Sequence, residues 1–448
     1  MTQSLSELSA QILDAARKAG ADAADAIAVN GTSQSITVRA GALEHAERSE
    51  GVEIGLRVLV GQRQACVSAS DTKPETLAQM AERAVAMAKE APDDPHAGLA
   101  SADQLAKDTA TERLELYDPS DEPDPAALQE DALRAEAAAL RNKDVSQVQS
   151  ASAGYSRRRI HLAATNGFSA GYARSDRGLS CVAISGTGTG MERDYDYDSR
   201  VFQSDLRDAE EIGTRAAARA AERMGARRPK TGAYPVLFDE RIANSLIGHL
   251  MQATNGMMIA RGSSWLRDAI GEQVLPASMS IVEQPHRSRV TGSRLFDAEG
   301  LPTSERAIVE NGVLKGWTLD LATARKLGME STANAARGTS APPSPSLTNV
   351  TVTGGMKTRD ALIREMGTGL LVTSMIGSTI NPNTGDYSRG AAGFWVENGE
   401  IAYPVNECTV AGNLRNMLKT LIPANDAQQH LSRVVPSLLV EGLTLAGE

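Results

Sequence analysis

The sequence predicts an α+β protein, with a mixed α/β N-terminal region followed by a strand-rich, antiparallel C-terminal domain. Two Glu-Asn-Gly triplets, at residues 310–312 and 397–399, each lie between runs of apolar residues. Asn-Gly accepts positive φ at both central turn positions and strongly favours a type I′ β-hairpin. The N-terminal half also contains apolar residues at helical spacing, so helices and strands are both expected there.

The first predicted domain spans residues 1–116. It opens with an amphipathic helix, in which Ser4 and Glu7 form a capping box and Gly20 ends the helix. Strands and a second helix at residues 74–90 are expected to follow. The segment 117–125, YDPSDEPDP, ends this domain because it is rich in proline and acid and suits neither a helix nor a central strand.

Two further domains are predicted after this segment, at residues 126–225 and 232–448. The middle domain is expected to contain an alanine-rich helix at 126–141, strands at 145–162 and 178–186, and a closing helix at 206–224. The basic segment ARRPKTG is predicted to link it to the β-rich C-terminal domain. Division into domains is expected for 448 residues, because single cores stop growing beyond roughly 250–300 residues.

Composition argues against several classes of protein. The chain has 46 basic and 56 acidic residues and no basic block, so nucleic-acid binding is not expected. The N-terminal segment lacks the features of a signal peptide, and no apolar run approaches the roughly 20 residues of a membrane span. Cys66, Cys181 and Cys408 are far apart and odd in number, unlike a disulfide framework or a zinc ribbon. A cytoplasmic location is therefore expected.

Several long strings resemble a known family. They are TGDYSRGAAGFWVENGEIAYPV from Thr384, TVAGNL from Thr409, FDAEGLPTSERAIVENGVLKGW from Phe296 and ARKLGMEST from Ala324. The segment GMERDYDYDSR, at residues 190–200, fits the same pattern. The chain resembles the TldD/PmbA family, in its PmbA (TldE) branch, over nearly its whole length. This resemblance implies a TldD/PmbA-like fold and a connection to peptidase chemistry.

The resemblance also indicates where a zinc site would lie. In the TldD branch, an HExxxH helix after a short apolar strand binds zinc, and a cysteine nearer the C-terminus is the third protein ligand. The matching segment here has Asp239, Glu240 and Asn244, so both histidines are replaced and only the glutamate remains. An amide oxygen is a poor zinc ligand, and segment 425–448 contains His430 but no cysteine. No cofactor is therefore expected in this chain.

Other candidate residues have structural interpretations. Asp239 is predicted to be the N-cap of the following helix. His249, on the same predicted helix, is interpreted as structural because a general base needs a positioned partner. Cys408 lacks the electropositive surroundings that activate a thiolate, so a buried thiol is favoured over a thiol peptidase. The string DYDYD at 194–198 spaces carboxylates like a calcium loop, but strand alternation explains it with fewer assumptions.

Segment 381–393 contains the candidate substrate-facing or partner-facing residues. Asp386, Tyr387 and Arg389 lie there among glycine, alanine and serine, which permit close backbone approach. The sequence predicts a loop that shapes an interior or interface wall near a peptide path. The alternative, a tight β connection with these groups in solvent, stays open.

The resemblance implies the non-zinc-binding subunit of a heteromeric TldD-type metallopeptidase. Such a complex acts in proteolysis of unfolded or extended peptides and in peptide maturation. Zinc is then expected in a TldD-like partner, and this chain is not expected to be catalytic by itself. A homodimer is the expected alternative assembly when the partner is absent. Two other functions stay open: an independent hydrolase with an unrecognised site, and a non-enzymatic interaction or scaffold protein.

Overall fold

The computed structural model describes residues 4–448, apart from the side chain of Ser378. Helices and strands alternate in the N-terminal half, and strands dominate the C-terminal half, as the sequence predicts. The helices are α1 (Leu5–Ala19), α2 (Pro74–Glu90), α3 (Pro125–Leu140), α4 (Ala209–Glu222), α5 (Glu240–Ala253), α6 (Gly256–Ala260), α7 (Leu321–Leu327), α8 (Arg359–Met366) and α9 (Leu414–Lys419).

The strands of the N-terminal half build one sheet, and those of the C-terminal half build three. The N-terminal strands are β1 (Ala23–Arg39), β2 (Ala42–Val60), β3 (Arg63–Ala69), β4 (Val145–Ala164), β5 (Ser169–Ser185) and β6 (Glu192–Arg200). The C-terminal strands are β7 (Gly232–Phe238), β8 (Ser280–Glu283), β9 (Arg306–Glu310), β10 (Val313–Leu314), β11 (Ala335–Ala336), β12 (Ser344–Pro345), β13 (Val350–Thr353), β14 (Gly369–Ile380), β15 (Asp386–Glu397), β16 (Glu400–Asn413), β17 (Ile422–Pro423), β18 (Arg433–Val434) and β19 (Leu438–Ala446).

The helix boundaries follow local signals in the sequence. Ser4 Oγ accepts a hydrogen bond from Glu7 N, and Glu7 closes the predicted capping box at the start of α1. Gly20 adopts φ 98° after its last turn, where an L side chain would be strained. Helix α2 begins at Pro74, which is well suited to the first helical turn because it needs no N–H partner there.

The N-terminal sheet joins the first two predicted domains. Its strand order is β3-β2-β1-β4-β5-β6, and every neighbouring pair is antiparallel. The pairing of β1 with β4 runs from Asp25 opposite Ala164 to Val38 opposite Ala151. The predicted domains 1–116 and 126–225 therefore each contribute half of one continuous sheet.

Each half of this sheet has its own helical cover. Helices α1 and α2 pack over one half around Ile12, Ile54 and Leu56, and α3 and α4 pack over the other around Leu128 and Ile212. The β1 residues that belong to the cores under these helices, Ala24, Ala26, Ala28, Ile36 and Val38, are all even-numbered. Because alternate side chains point to opposite faces of a strand, both helix pairs cover the same face.

The opposite face of the sheet contacts the C-terminal domain. Ile27, Leu162 and Phe168 pack against Leu295 and Phe296, and the Phe168 and Phe296 rings meet edge to face with centroids 5.2 Å apart. A buried ionic cluster lies beside this contact. It comprises the Asp25–Arg57 ion pair, Arg337 paired with Asp25, and Glu299 nearby.

The C-terminal domain contains a mixed six-stranded sheet, ordered β16-β15-β14-β7-β19-β17. Its pairs are antiparallel except for β7 with β14. Val236 and Phe238 face the large core under α5, whereas Leu237 faces the core under α8. Burial on both faces explains the continuous apolar run of β7.

Both predicted hairpins are present. Asn311 and Gly312 adopt φ 48° and 82° between β9 and β10, and Asn398 and Gly399 adopt φ 53° and 77° between β15 and β16. Two positive φ values in succession are the requirement of a type I′ turn. Within residues 4–448, no helix combines the length and apolar character needed to cross a membrane.

Candidate functional site

The candidate site lies where β7 passes into α5. Val236, Leu237 and Phe238 at the end of β7 are fully buried between β14 and β19. The backbone N–H of Asp239 then donates a hydrogen bond of 2.9 Å to the carbonyl oxygen of Val372 on β14. This bond fixes the strand-to-helix junction and so orients the first side chains of α5.

Asp239 is the N-cap of α5, as predicted. Its carboxylate is 3% exposed and accepts a hydrogen bond of 3.2 Å from the backbone N–H of Arg241. It also pairs with two guanidinium groups, at 3.2 Å from Arg241 Nε and 2.9 Å from Arg359 Nη1. The buried negative charge is therefore neutralised by arginines of α5 and α8.

Glu240 and Asn244 lie on the first turns of the same helix. Glu240 Oε1 accepts a hydrogen bond of 2.9 Å from Gln428 Nε2. Burial raises the pKa of the Glu240 carboxyl, and the nearby Asp239 charge raises it further. Asn244 Oδ1 is buried, with no hydrogen-bond partner among the residues that the structure describes.

These three residues do not fit a zinc site. Asp239 is fully engaged by its cap hydrogen bond and two arginines, and Asn244 offers only an amide oxygen. Tetrahedral zinc takes imidazole, thiolate or carboxylate ligands, and arginine cations beside the site oppose a second positive charge. Across residues 4–448, no group of three or more His, Cys, Asp or Glu side chains is placed to hold a metal ion.

Strand β6 brings a ladder of buried aspartates to the same region. Asp194, Asp196 and Asp198 are 3–5% exposed, whereas Tyr195 and Tyr197 on the other face are 43% and 50% exposed. The predicted strand alternation is confirmed, with the charged face inward. The carboxylates are occupied by ion pairs with arginines: Asp194 with Arg241 and Arg223, Asp196 with Arg207 and Arg219, and Asp198 with Arg200.

Gln428 and His430 of the C-terminal segment also line this site. His430 Nε2 lies 3.5 Å from Asp198 Oδ1, and burial lowers the pKa of the His430 imidazole. A cavity of about 310 Å³ is lined in common by Glu240, Asn244, Gln428 and His430. The structure thus brings His430 close to the degenerate motif, although the two are far apart in sequence.

His249 lies further along α5 in a largely apolar setting. Its ring meets the Tyr387 ring edge to face, with centroids 6.0 Å apart. Burial lowers its pKa, and the positive charge of Arg389 lowers it further, so the neutral imidazole is favoured. Its Nε2 has no hydrogen-bond partner within the described part of the chain. The structural interpretation of His249 stays a prediction.

The predicted loop at 381–393 is wrong in extent. Only residues 381–385 form a turn, and residues from Asp386 onward belong to β15, between β14 and β16. The small residues serve close strand packing: a Cβ at Gly393 would lie 1.9 Å from the carbonyl oxygen of Leu371. Low strand propensity was outweighed by the two neighbouring strands.

The three candidate residues of this segment have different surroundings. Asp386 is exposed and accepts hydrogen bonds from Thr384 Oγ1 at 2.7 Å and Asn413 Nδ2 at 2.9 Å, which brace the turn. Tyr387 is 2% exposed, and burial raises its pKa to about 12. Arg389 is half-buried, and its Nε donates to the carbonyl oxygen of Gly377 at 2.7 Å. Asp386 and Arg389 remain accessible, whereas Tyr387 belongs to the core.

Cys408 is a buried thiol. Its Sγ lies 3.2 Å from the carbonyl oxygen of Ala391, and burial raises its pKa to about 11. A thiol with a raised pKa carries little thiolate near neutral pH, so this environment disfavours a nucleophile. The structure supports the interpretation of Cys408 as a core residue.

Sequence reasoning missed the arginines that dominate this site. Arg241 lies inside the degenerate motif. Arg215 and Arg359 lie on α4 and α8, and together with Asp239 they line a further cavity, whose lining differs in part from that of the cavity of about 310 Å³. Only the spacing of Arg215 and Arg219, one helical turn apart on α4, was visible as a local pattern. Their convergence on α5 depends on how the middle and C-terminal domains pack.

Three sequence profiles cover most of the chain. They are described as PmbA/TldA metallopeptidase domain 1, central domain and C-terminal domain, and they match residues 24–88, 118–224 and 231–447. The chain belongs to the PmbA/TldD family. The profile boundaries fall at the proline-rich segment before α3 and at the linker before β7.

Relatives in the PmbA branch match nearly end to end. The protein named metalloprotease PmbA from Escherichia coli O157:H7 is 35% identical over 430 residues, which cover 95% of this chain and 93% of that protein. A metalloprotease PmbA homolog from Haemophilus influenzae is 38% identical over 443 residues, covering 97% and 94%. This PmbA/TldD protein therefore aligns with the PmbA branch across all three domains.

Solved structures share the same fold. A protein from Bacteroides thetaiotaomicron VPI-5482, described as a candidate modulator of DNA gyrase, superposes with a TM-score of 0.91 and 26% identity over 99% of this chain and 98% of that chain. TldE from Thermococcus kodakarensis superposes with a TM-score of 0.85 and 21% identity, covering 98% of this chain and 100% of that one. The α+β fold predicted from sequence is thus the PmbA/TldD fold.

Proposed function

We propose that this chain is the non-zinc-binding subunit of a heteromeric TldD-type metallopeptidase. The observation that carries the proposal is the state of the degenerate motif, where Asp239 is bound by Arg241 and Arg359. Two guanidinium groups supply the positive charge that a metal ion supplies in a zinc peptidase. In this proposal Asp239 forms ion pairs at the position where the corresponding residue of a zinc peptidase binds the metal.

The proposed partner is a TldD-like chain that binds zinc and performs peptide hydrolysis. A metalloprotease TldD homolog from Buchnera aphidicola is 24% identical to this chain over 245 residues, which supports a common architecture for the two kinds of subunit. In the proposed complex, no cofactor is bound by this chain. A homodimer is the proposed state of the chain without its partner.

The proposed substrates are unfolded or extended peptides, including precursors that mature by proteolysis in the cytoplasm. One face of the N-terminal sheet supports this assignment, because it lines a concave space of about 750 Å³. The lining of this space includes Gly31, Ser33, Ser49, Gly51 and Ser156. Small polar side chains leave room for an extended backbone to approach a strand. The chain would act as a wall that admits unfolded peptide and keeps folded proteins away from the partner's zinc.

Metal content and peptidase activity test this proposal directly. The purified chain, a TldD-like partner and an equimolar mixture are analysed for zinc and for cleavage of an unstructured peptide. We expect no stoichiometric zinc and no cleavage with this chain alone, and cleavage by the mixture that exceeds that of the partner alone. About one tightly held zinc per chain, the ratio of a real site, would contradict the proposal.

The same experiment separates the other functions. Chelator-resistant cleavage by the isolated chain would identify an independent hydrolase. An interaction or scaffold protein would leave the partner's activity unchanged in the mixture. Size-exclusion chromatography of the mixture distinguishes failure to assemble from failure to stimulate cleavage.

A further inference from the structure

A second cavity, of about 670 Å³, adjoins the first and shares Arg215, Arg219, Glu240 and Arg241 with it. Helix α4 of the middle domain and the starts of α5 and α8 form one wall, and strands of the C-terminal sheet form the other. The two walls differ in chemistry. The charged wall consists of Arg215, Arg219, Glu222, Asp239, Glu240, Arg241 and Arg359, and the apolar wall consists of Leu371, Phe394, Ile401, Ala402, Tyr403 and Pro404.

Most of the positive charge in this cavity is already neutralised. Three of its four arginines form short ion pairs with buried aspartates: Arg219 with Asp196 at 2.6 Å, Arg241 with Asp194 at 2.9 Å and Arg359 with Asp239 at 2.9 Å. These pairs fix the three guanidinium groups in the cavity wall. They also leave the fourth arginine as the main source of uncompensated charge.

Arg215 is that fourth arginine. Its contact with Asp196 Oδ2 is 3.9 Å long, and the same oxygen lies 2.9 Å from Arg207. Arg215 has no hydrogen-bond acceptor among the described residues, and its side chain is 48% exposed. A guanidinium presents five N–H donors in a planar fork that matches a carboxylate. Arg215 therefore offers an open binding position for one anionic group.

Thr373 gives an independent indication that the cavity suits a polar ligand. It lines the cavity from β14, is 7% exposed, and its Oγ1 has no hydrogen-bond partner in the part of the chain that the structure describes. Buried hydroxyl groups in native proteins are nearly always hydrogen-bonded. A polar ligand in the cavity would supply the partner that the protein does not.

We propose that this cavity binds the C-terminal carboxylate of a peptide whose last residue is apolar. Arg215 binds the carboxylate, and the apolar wall that includes Phe394 and Ile401 receives the side chain of the terminal residue. Ile401 is 49% exposed, so its contact with an apolar side chain would remove apolar surface from water. The inference rests on the proposed function for its ligand class, since every peptide cleavage creates a new C-terminal carboxylate.

The acidic residues of the cavity restrict the ligand further. Glu222 and Glu240 line the same space as Arg215. A second negative charge on the ligand would meet these carboxylates and lose affinity. An acidic side chain also lacks the apolar group that the facing wall fits. The chemistry therefore favours a terminal carboxylate on an apolar residue over an internal aspartate or glutamate.

Calorimetric titration of the isolated full-length chain tests this assignment. The probes are three N-acetylated tripeptides: Ala-Ala-Leu as the free acid, Ala-Ala-Leu as the C-terminal amide, and Ala-Ala-Asp as the C-terminal amide. We expect the free acid to bind at least about tenfold more tightly than either amide, because a charge-assisted bidentate contact is lost. Equal binding of both leucine peptides, or of the free acid and the aspartate peptide, would overturn the proposal, as would no binding of the free acid.

Substitutions assign the binding to Arg215. We expect Arg215→Ala to weaken free-acid binding at least about tenfold and to remove the preference over the amide, and Arg215→Lys to restore part of it. Arg83→Ala is the matched control, since Arg83 is also an exposed helical arginine but lies on α2, away from the cavity. Unchanged free-acid affinity in Arg215→Ala, with native circular dichroism, would refute the assignment.

These titrations need no partner chain, so they can fail separately from the proposed function. If the free acid does not bind but the mixture with a TldD-like partner cleaves peptide, only the carboxylate site is refuted. If the free acid binds as expected but the mixture shows no stimulated cleavage, the proposed subunit function is refuted and the binding site stands.

Discussion

Replacing Asp239 by alanine would remove three interactions from the start of α5. The change deletes the cap to the Arg241 N–H and the ion pairs with Arg241 and Arg359. The cap contributes about 1 kcal/mol, and hydrogen bonds to charged groups contribute about 1.5–3 kcal/mol each. Arg241 keeps its ion pair with Asp194, and Arg359 is 41% exposed, so the loss of each ion pair falls at or below the low end of that range. We expect the free energy of unfolding to fall by about 2–4 kcal/mol.

A second substitution at the same position separates the contribution of the cap from that of the charge. Asp239→Asn keeps an oxygen that can cap the helix but removes the negative charge, so it is expected to cost about 1–2 kcal/mol. Asp268→Ala is the matched control, because Asp268 also pairs with an arginine but its side chain is 80% exposed. The control should change stability by less than about 0.5 kcal/mol.

Urea unfolding followed by tryptophan fluorescence is the appropriate measurement. All three tryptophans, Trp265, Trp317 and Trp395, lie in the C-terminal domain, so their emission reports on the domain that contains α5. Far-UV circular dichroism follows the whole chain in parallel. If Asp239→Ala destabilises no more than Asp268→Ala, the carboxylate does not stabilise the junction and the reasoning is refuted.

Three further outcomes are expected. Glu240→Gln should leave the rate of peptide cleavage by a complex with a TldD-like partner within about threefold of the rate of the unsubstituted complex, because the Glu240 carboxylate accepts a hydrogen bond from Gln428 and has no metal-bound water to activate. A loss of about a hundredfold with the complex intact would contradict this. Arg389→Ala should weaken partner association or peptide turnover by more than the roughly 1 kcal/mol of an exposed charge, and unchanged values in both assays would place Arg389 on an inert surface. Burial raises the pKa of Glu299 from 4.5 to about 8, and the Asp297 carboxylate contributes to the shift, so stability is full below pH 4.5 and falls by at most about 5 kcal/mol as pH rises to 8. The pH-dependent unfolding of Glu299→Gln should lack this component.

Elements governed by local chemistry were predictable from the sequence. The capping box of α1, Pro74 at the start of α2, and the Asn-Gly turns at 311 and 398 all appear where their local signals place them. The N-cap role of Asp239 was predictable for the same reason, because a short polar side chain before an amphipathic run satisfies orphan backbone donors. In each case the decisive interaction spans only a few residues.

Interactions between distant segments were not predictable in this way. The partners Asp239 and Arg359 are 120 residues apart, and Gln428 reaches Glu240 from 188 residues away. Residues 381–393 were predicted to be a loop because their small residues permit close backbone approach, but residues from Asp386 onward belong to β15. The small residues allow β15 to pack closely against its neighbours. This role depends on β14 and β16, which pair with β15 on either side and which local sequence does not reveal.

The shared N-terminal sheet has a consequence during synthesis of the chain. Strand β1 leaves the ribosome with β2 as its hairpin partner, but its other edge pairs with β4, whose first residue, Val145, is synthesised more than a hundred residues later. Until then a 17-residue strand presents unpaired backbone groups along one side. Such edges recruit strands from other chains, so nascent chains that stall before β4 should be prone to aggregation and should depend on chaperones that shield this edge.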